Sequence, residues 1–349
     1  MNKPLSATPL WLLSVCALLL GCGATAKQPI GYTVDRTFEP PKAKAPPPRA
    51  TDPDIVFQAR GRVRVTRLSD GQELSESSYV SELLGYEAVC AGEAHASAPA
   101  HYAEYHLLEL LSARATELGL ELGLGLEMWP REQQPKLTAY SLRHWTNEQL
   151  VSKTGYEKRW GYPFAYYRPQ LERARELGVP LIALNASQEL TRAVAQNGLD
   201  GLTLKQRRRL PEMDLNDAEH RARFERWMHD HPGVDDDSVD RFYAAQLVWD
   251  ETMATASASW LSRHAPMRRM LILAGRAHCE RTAIPRRLER RGARRVAAIW
   301  LGAEPPPTQD LHHYDYAVIV ESGPGAPASP KSQEKRPSRR SAEDDELPS

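Results

Sequence analysis

A short apolar run is followed by the sequence Gly-Glu-Ala-His, in which Glu93 and His95 lie two residues apart. Three more imidazole or phenol side chains, those of His101, Tyr105 and His106, come within the next dozen positions. Carboxylates and imidazoles act as general acids and bases, and both also bind divalent metals. This segment therefore predicts either acid–base chemistry or a metal site.

Polar side chains that could take part in such chemistry also lie at the ends of three other apolar runs. Glu127 lies at the end of LGLGLEM, Asn185 follows PLIAL, and His278 comes shortly after MLILA. Because ligands of open α/β sheets bind beyond the carboxyl ends of the strands, these groups are expected at one edge of a sheet. A buried carboxylate such as Glu127 is costly unless it is paired or bound to a cation. We predict that Glu93, His95, Glu127 and His278 form one centre, either catalytic or metal-binding.

Each of these residues alone has a simpler explanation. His95 could cap a helix that begins near Ser97, and Glu93 could favour that helix through its dipole. The convergence of several strand ends therefore carries more weight than any one residue. Three familiar catalytic motifs are absent from the sequence, namely HExxH, the Walker A loop and the GxSxG nucleophile elbow.

The middle of the chain alternates short apolar runs with longer amphipathic stretches. Near-continuous apolar runs are typical of buried parallel strands, and six are predicted, at residues 88–91, 122–128, 180–184, 270–274, 296–300 and 316–320. Helices are predicted at residues 99–118, 168–177, 187–196, 216–229, 238–263 and 284–291. This alternation predicts the α/β class, with a mostly parallel sheet flanked by helices. A helical insertion at about 186–264 could form a cap over the carboxyl edge of the sheet.

An aromatic cluster at residues 156–168, YEKRWGYPFAYYR, stands out in a chain that is only 7% aromatic. A flat apolar ligand would pack well against such a wall, and a tyrosine oxygen can bind the iron of ferric haem. The alternative is a packed loop that buries its own rings.

The N-terminus has the features of a bacterial lipoprotein signal. Lys3 precedes an apolar stretch that is too short to span a bilayer and that ends in Leu-Leu-Gly-Cys. We predict a signal peptide at residues 1–21 and lipidation of Cys22, and Gly23 is compatible with sorting to the outer membrane. An ordinary cleaved signal peptide or an uncleaved anchor is the alternative.

Two further cysteines, Cys90 and Cys279, would reach an oxidising compartment. They could form a disulfide, particularly if the ends of their strands converge. They could equally be two buried apolar thiols.

The composition of the two ends differs from that of the middle. Residues 22–54 are Pro-rich and are predicted to be an extended tether, and residues 322–349 are predicted to be a disordered charged tail. Residues 55–321 are predicted to form the α/β domain. Lys+Arg and Asp+Glu each number 45, so the net charge does not indicate nucleic acid as a partner.

Five ordered segments of the chain resemble the ChaN-like family of haem-binding uptake proteins: GEAH, LEMWPREQQP, YYRPQLERARELGVPLIALNAS, AAQLVWDETMA and LAGRAHCERTAIPRRL. The resemblance covers roughly residues 60–302. This family is grouped with erythromycin esterase and the Tiki/TraB-type proteases, whose Glu-x-His pair, further Glu and late Gly-x-x-His form a metal or acid–base centre. The matching positions in this sequence are Glu93, His95, Glu127 and His278.

The resemblance implies a haem-binding lipoprotein of the outer membrane. It implies an axial iron ligand and a cation for a haem propionate, with candidates at His95, Tyr166, Tyr167, His278, Arg168 and Arg276. Two positions depart from the family, since Ala94 replaces a glutamine and Ala277 replaces a glycine before the late histidine.

Two functions therefore compete. The leading hypothesis is a lipid-anchored haem-binding protein that takes part in haem or iron uptake, in which two copies could share a haem face as a homodimer. The alternative is a hydrolase in which Glu93, His95, Glu127 and His278 hold a divalent metal or activate water without one.

Overall fold

The computed structural model describes residues 55–229 and 236–322. The predicted signal peptide, the lipidation site at Cys22, the tether and all but the first residue of the predicted tail lie outside the described residues. These assignments, and the domain boundaries that depend on them, remain predictions.

The described residues form one sheet of eight strands, namely β1 (Gly61–Arg67), β2 (Gln72–Leu74), β3 (Ala88–Glu93), β4 (Glu121–Pro130), β5 (Leu181–Asn185), β6 (Arg268–Gly275), β7 (Val296–Gly302) and β8 (Tyr316–Ser322). Their order in the sheet is β2-β1-β8-β7-β3-β6-β4-β5. The six strands from β3 to β8 are parallel, whereas β1 pairs antiparallel with both β2 and β8. The predicted class, an α/β fold with a mostly parallel sheet, is confirmed. The hairpin of β1 and β2 was not predicted.

Helices connect and cover these strands. They are α1 (Ile55–Gln58), α2 (Glu76–Leu84), α3 (Ala98–Glu117), α4 (Gln134–Ser141), α5 (Asn147–Thr154), α6 (Tyr156–Trp160), α7 (Arg168–Leu177), α8 (Gln188–Asn197), α9 (Leu204–Arg207), α10 (Ala218–His229), α11 (Asp236–Leu261), α12 (Arg276–Cys279) and α13 (Ile284–Arg290). Short 3-10 turns lie at Arg131–Gln133, Phe164–Tyr166, Ser262–His264 and Thr308–His313. None of the helices in the described part of the chain has both the length and the apolar character that crossing a membrane would require.

Each face of the sheet is covered by its own group of helices. Val89 and Ala91 of β3 pack in one apolar cluster with α3. Ala88 and Cys90, the alternate residues of the same strand, pack in a second cluster with α11 and α13. Since successive side chains of a strand point to opposite faces, the sheet is buried on both sides, as its near-continuous apolar strands require.

The helix α3 begins immediately after β3, and local sequence fixes where it starts. The side chain of Ser97 accepts a hydrogen bond from the backbone NH of Ala100, and Pro99 occupies the first turn. Both features favour a helix start, because they satisfy or remove NH groups that have no partner within the helix. The start at Ala98 places the first turns of α3 beside Glu93 at the carboxyl edge of the sheet.

Candidate functional site

The strand geometry divides the polar residues of the carboxyl edge into two clusters. Glu93 has the same parity along β3 as Val89 and Ala91, so its side chain points toward α3. Glu127 has the opposite parity to Leu124 and Leu126 of β4, which face that side, so it points toward α11. The two predicted carboxylates therefore lie on opposite faces of the sheet.

The first group, which we call the α3-side cluster, consists of Glu93, His101, Glu104, Tyr167 and Gln170. Glu93 is buried, and its Oε1 accepts a hydrogen bond of 2.6 Å from the hydroxyl of Tyr167. Its other oxygen, Oε2, lies 3.0 Å from Nδ1 of His101. The same Nδ1 lies 2.9 Å from Oε2 of Glu104, to which the amide of Gln170 donates a hydrogen bond of 2.9 Å.

Burial is the main cause of the shifted pKa values in the α3-side cluster. It raises the pKa of Glu93 to about 7, an effect that the nearby Glu104 carboxylate reinforces. Burial likewise raises the pKa of Glu104 to about 7. It lowers the pKa of His101, because a buried imidazolium loses its hydration. The cluster can therefore hold and release a proton near neutral pH.

The second group, which we call the α11-side cluster, consists of Glu127, Gln246, Asp250 and His278. Oε2 of Glu127 accepts a hydrogen bond of 2.7 Å from the backbone NH of Gly275. Oε1 of Glu127 lies 3.4 Å from Nε2 of His278, and Oδ1 of Asp250 lies 2.5 Å from Nδ1 of His278. The imidazole of His278 is thus held between two carboxylates.

These two carboxylates determine the charge of His278. Burial alone would lower the pKa of His278, but Glu127 and Asp250 together raise it to about 10. Burial would raise the pKa values of Glu127 and Asp250, yet the His278 cation keeps both below their usual range. The α11-side cluster therefore contains an imidazolium at neutral pH, which is paired with two carboxylates and can act as an acid.

His95 lies where the two clusters meet. Its Nδ1 is 2.6 Å from Oε1 of Glu93. A Cβ added at Gly275 would lie 2.9 Å from Cε1 and 3.0 Å from Nε2 of His95, so the ring packs directly on the backbone that also binds Glu127. Burial would lower the pKa of His95, but the hydrogen bond to Glu93 and its charge raise it overall. The side chain of His95 is 23% exposed, which makes it the accessible part of the site.

Aromatic rings surround His95. The ring centroids of Trp160 and Tyr162 lie 5.0 and 4.7 Å from that of His95. Trp160 also donates a hydrogen bond of 3.1 Å to the hydroxyl of Tyr167. Part of the predicted aromatic cluster therefore forms a wall of the site, whereas Tyr167 lies in the interior.

The remaining predicted ligands lie around this centre. Tyr166 is half-buried, stacks on His101 at 4.8 Å and donates a hydrogen bond of 3.3 Å to the carbonyl of Ala96. Arg168 begins α7 and is half-buried. Arg276 lies over the ring of Trp300 at 3.6 Å and donates a hydrogen bond of 2.6 Å to the carbonyl of Leu301. The roles predicted for these residues remain predictions.

The atoms that could bind a metal do not form the group that the sequence predicted. Among the residues that the structure describes, only Glu93, His101 and Glu104 bring three such atoms within 4.8 Å of one another. Of the four predicted metal ligands, only Glu93 belongs to this group. A metal site formed by Glu93 with His95, Glu127 and His278 remains a prediction.

Cys90 and Cys279 form a disulfide. It joins the central strand β3 to α12, next to His278. The sequence left this pairing open, and the convergence of β3 and β6 at one edge of the sheet explains it.

The centre predicted from the sequence left out three groups of the site, Asp250, His101 and Glu104, although His101 was noted in the segment after β3. Asp250 lies within α11, far along the chain from any strand end, although it belongs to the segment AAQLVWDETMA that resembles the family. His101 and Glu104 lie three residues apart in the first turns of α3, so they share one helix face. His101 and Glu104 form a polar pair on the otherwise apolar face of α3, and this pattern in the sequence could have indicated a buried polar site.

A family model described as "Haem-binding uptake, Tiki superfamily, ChaN" matches residues 79–288, which is more than half of the chain. The chain belongs to this family. The resemblance read from the sequence is confirmed, and membership in the ChaN family supports a haem-binding role.

Two solved structures resemble the chain, and the first of them, with a TM-score above 0.5, has the same fold. The structure described as cofacial heme binding to ChaN of Campylobacter jejuni has a TM-score of 0.58 at 15% identity, and the match covers 74% of this chain and 97% of that one. A mutant of the erythromycin esterase EreC in its open conformation has a TM-score of 0.42 at 15% identity, covering 75% of this chain and 83% of that one. A comparison with curated proteins found no match.

Proposed function

We propose that this chain is a lipid-anchored haem-binding protein of the bacterial outer membrane that takes part in haem or iron uptake. Membership in the ChaN family supports the haem ligand. The lipoprotein-like sequence that ends at Cys22 supports the anchor. In this role, haem is cargo that the protein holds and passes on.

The arrangement around His95 carries this proposal. An imidazole that ligates a metal commonly donates its other ring NH to a carboxylate, which orients the ring and raises its basicity. His95 has this arrangement, since Glu93 holds its Nδ1 and leaves Nε2 on the opposite side of the ring. The rings of Trp160 and Tyr162 supply the flat apolar contacts that a porphyrin needs. The residues present therefore fit a haem.

The other predicted iron ligands have less support than His95. Tyr167 is buried and donates its hydrogen bond to Glu93, so haem could reach its oxygen only after this bond had broken. His278 has one ring nitrogen facing Asp250 and the other facing Glu127, so neither nitrogen is free to bind iron. Tyr166 is half-buried and is the second candidate for the axial ligand.

Two arginines are candidates for the propionates. The guanidinium of Arg276 forms no ion pair with a carboxylate among the described residues, so its charge is available to an anion. Arg168 lies next to the aromatic wall in sequence. A second copy of the chain could cover the remaining haem face, which is the basis for proposing a homodimer.

Haemin titration of the purified chain without residues 1–22 tests the proposal. A saturable Soret shift is expected for the wild-type chain and should be lost or strongly weakened in His95→Ala. Tyr166→Phe tests the second candidate ligand. Tyr86→Phe is a matched control, because Tyr86 lies just before the amino-terminal end of β3, whereas the site lies at its carboxyl end. No Soret shift in the wild-type chain would refute haem binding.

Membrane attachment needs a separate test. Metabolic labelling with palmitate should mark the wild-type chain in the outer-membrane fraction. Cys22→Ser should abolish the label and release the chain from that fraction. Labelling that persists in Cys22→Ser would refute lipidation at this position.

A hydrolase is the second candidate. The observation that favours it is the α11-side cluster, in which His278 can act as an acid beside the accessible His95. A colourless protein that hydrolyses ester substrates, and that loses this activity in His278→Ala, would favour this alternative.

A further inference from the structure

In the α3-side cluster, several hydrogen-bond acceptor atoms lie close together, and the cluster does not contain enough donors to pair with all of them. Nδ1 of His101 lies 3.0 Å from Oε2 of Glu93 and 2.9 Å from Oε2 of Glu104. The side chains of all three residues are fully buried. The other oxygen of Glu104, Oε1, is buried and has no hydrogen-bond partner among the described residues.

The second ring nitrogen of His101 fixes the tautomer. Nε2 lies 3.1 Å from the backbone carbonyl oxygen of His95. A carbonyl oxygen can only accept, so Nε2 carries the proton. In the neutral imidazole, Nδ1 then has a lone pair, and this lone pair faces two carboxylate oxygens. Such an arrangement of three acceptors is unfavourable unless a metal cation or a proton lies among them.

No lysine or arginine among the described residues supplies the missing charge. Among the described residues, the ion-pair partners of Glu93 and Glu104 are the imidazoles of His95 and His101, and no lysine or arginine is within 4.0 Å of either carboxylate. Two buried carboxylates thus share one imidazole whose lone pair faces them.

We propose that a divalent transition-metal ion binds between Glu93, His101 and Glu104. One imidazole nitrogen and two carboxylate oxygens suit manganese, iron or zinc. The observed separations of 2.9 and 3.0 Å between Nδ1 and the two oxygens match adjacent ligands at right angles around an octahedral ion with bonds of about 2.1 Å, which favours manganese or iron over tetrahedral zinc.

Hydrogen bonds from neighbouring residues orient the three ligands. Tyr167 donates to Oε1 of Glu93, and Gln170 donates to Oε2 of Glu104. The carbonyl of His95 accepts from His101 and so directs Nδ1 into the cluster. Such supporting bonds are characteristic of metal sites, where they fix ligand orientation.

The proposed ion would also position His95. Glu93 would bind the ion through Oε2 while Oε1 holds Nδ1 of His95 at 2.6 Å. The site goes beyond haem binding, since it lies on the α3 side of the sheet and uses none of Glu127, His278 or the aromatic wall.

Metal analysis of the full chain tests this proposal directly. The chain is purified from cells supplied with manganese, iron and zinc, and its metal content is measured by mass spectrometry. One ion per chain is expected. After removal of the ion by chelation, Mn²⁺ or Zn²⁺ should raise the melting temperature, because an ion that binds only the folded state stabilises it. A wild-type chain that holds no ion and shows no such rise would overturn the proposal.

Variants locate the ion. Glu104→Gln and His101→Ala should lose it, while Glu109→Gln should keep it, because Glu109 lies on the same helix but pairs with Arg173 away from the cluster. Glu127→Gln and His278→Ala should also keep it, since these residues are not among its ligands. Loss of the ion in Glu127→Gln or His278→Ala, but not in Glu104→Gln, would place it at the other set of residues and refute this site.

The main competing explanation is a proton shared by Glu93 and Glu104. In that case the wild-type chain would contain no ion, and Glu104→Gln would be at least as stable as wild type at alkaline pH with or without added metal. Circular dichroism confirms that each variant is folded. Haemin titration of the metal-free chain measures haem binding separately from metal binding. Failure of either proposal can therefore be recognised without the other.

Discussion

Nδ1 of His278 donates a hydrogen bond of 2.5 Å to Oδ1 of Asp250, and both side chains are buried. The second oxygen of Asp250 lies 3.2 Å from Nε2 of His220, so the carboxylate is held by two imidazoles. The hydrogen bond to Asp250 fixes the ring of His278 and leaves its Nε2 directed at Glu127. A residue in the middle of a helix therefore orients a residue that follows a strand and, together with Glu127, keeps it charged.

Asp250→Asn should destabilise the fold. Breaking a buried ion pair leaves an uncompensated charge, and the expected loss in the free energy of unfolding is about 3 kcal/mol. Urea denaturation measures this loss. Asp240→Asn is the matched control, because Asp240 lies on the same helix but its side chain is 73% exposed where it pairs with Arg221. A change below about 0.5 kcal/mol is expected there.

The elevated pKa of His278 predicts how stability depends on pH. Because the pKa is about 10 in the folded state and 6.5 is its ordinary value, the folded state binds the proton more tightly. The stabilisation is fully present below pH 6.5 and is lost as the pH rises toward 10. The free energy of unfolding should therefore fall over this range. His278→Gln should flatten the fall, and an unchanged slope in that variant would contradict the assignment.

The α3-side cluster predicts a second pH dependence at lower pH. The pKa values of Glu93 and Glu104 are raised from 4.5 to about 7 in the folded state. Their protonated forms therefore favour folding, and this contribution is lost as the pH rises from 4.5 through 7. In metal-free protein, Glu104→Gln should reduce the loss of stability over this range. Equal slopes for the wild-type chain and Glu104→Gln would show that the two carboxyl groups do not titrate in this way.

Gly275→Ala should displace His95 without breaking the bond to Glu127. The backbone NH of residue 275 is retained, but the new Cβ would lie 2.9 Å from the imidazole of His95. Haemin affinity should fall about tenfold, equivalent to about 1.4 kcal/mol. In a double-mutant cycle, Gly275→Ala should have little further effect on His95→Ala, since the group that it displaces is already absent. Additive effects would mean that Gly275 acts elsewhere.

Removal of the disulfide should weaken the whole domain. Cys90 and Cys279 are 189 residues apart, and the loss of such a cross-link typically costs about 2–5 kcal/mol. The variant Cys90→Ala/Cys279→Ala should unfold at lower urea concentration than the wild-type chain. The wild-type chain in reductant should match this variant. No difference between oxidised and reduced wild type would show that the bond contributes nothing to stability.

The sequence predicted the central part of the sheet because those strands are buried on both faces. All six predicted strands are present in the structure. A short, continuous apolar run such as 270–274 has no polar side chain to place in solvent, so it is readily predicted as a buried strand. The strand β1, which lies between β2 and β8, was missed because GRVRVTR alternates arginine with valine and is mostly half-buried. A two-residue alternation over so few apolar residues is a weak signal.

The site was predicted in part for the same reason. The ends of β3, β4 and β6 supplied Glu93, Glu127 and His278, because strand ends of a parallel sheet can be read from apolar runs. The sequence could not show that Glu93 and Glu127 point to opposite faces, since this depends on the register of each strand. It also could not supply Asp250, which approaches His278 only through the packing of α11 on the sheet.

The position of β3 has a consequence for how the chain is made. Its neighbours in the sheet are β6 and β7, which begin at Arg268 and Val296, long after β3 has been synthesised. If the chain crosses a membrane from its N-terminus, this apolar strand arrives well before the segments that cover its two edges. Non-local pairing of this kind slows folding, and both edges of β3 can be covered only after residue 302 has emerged.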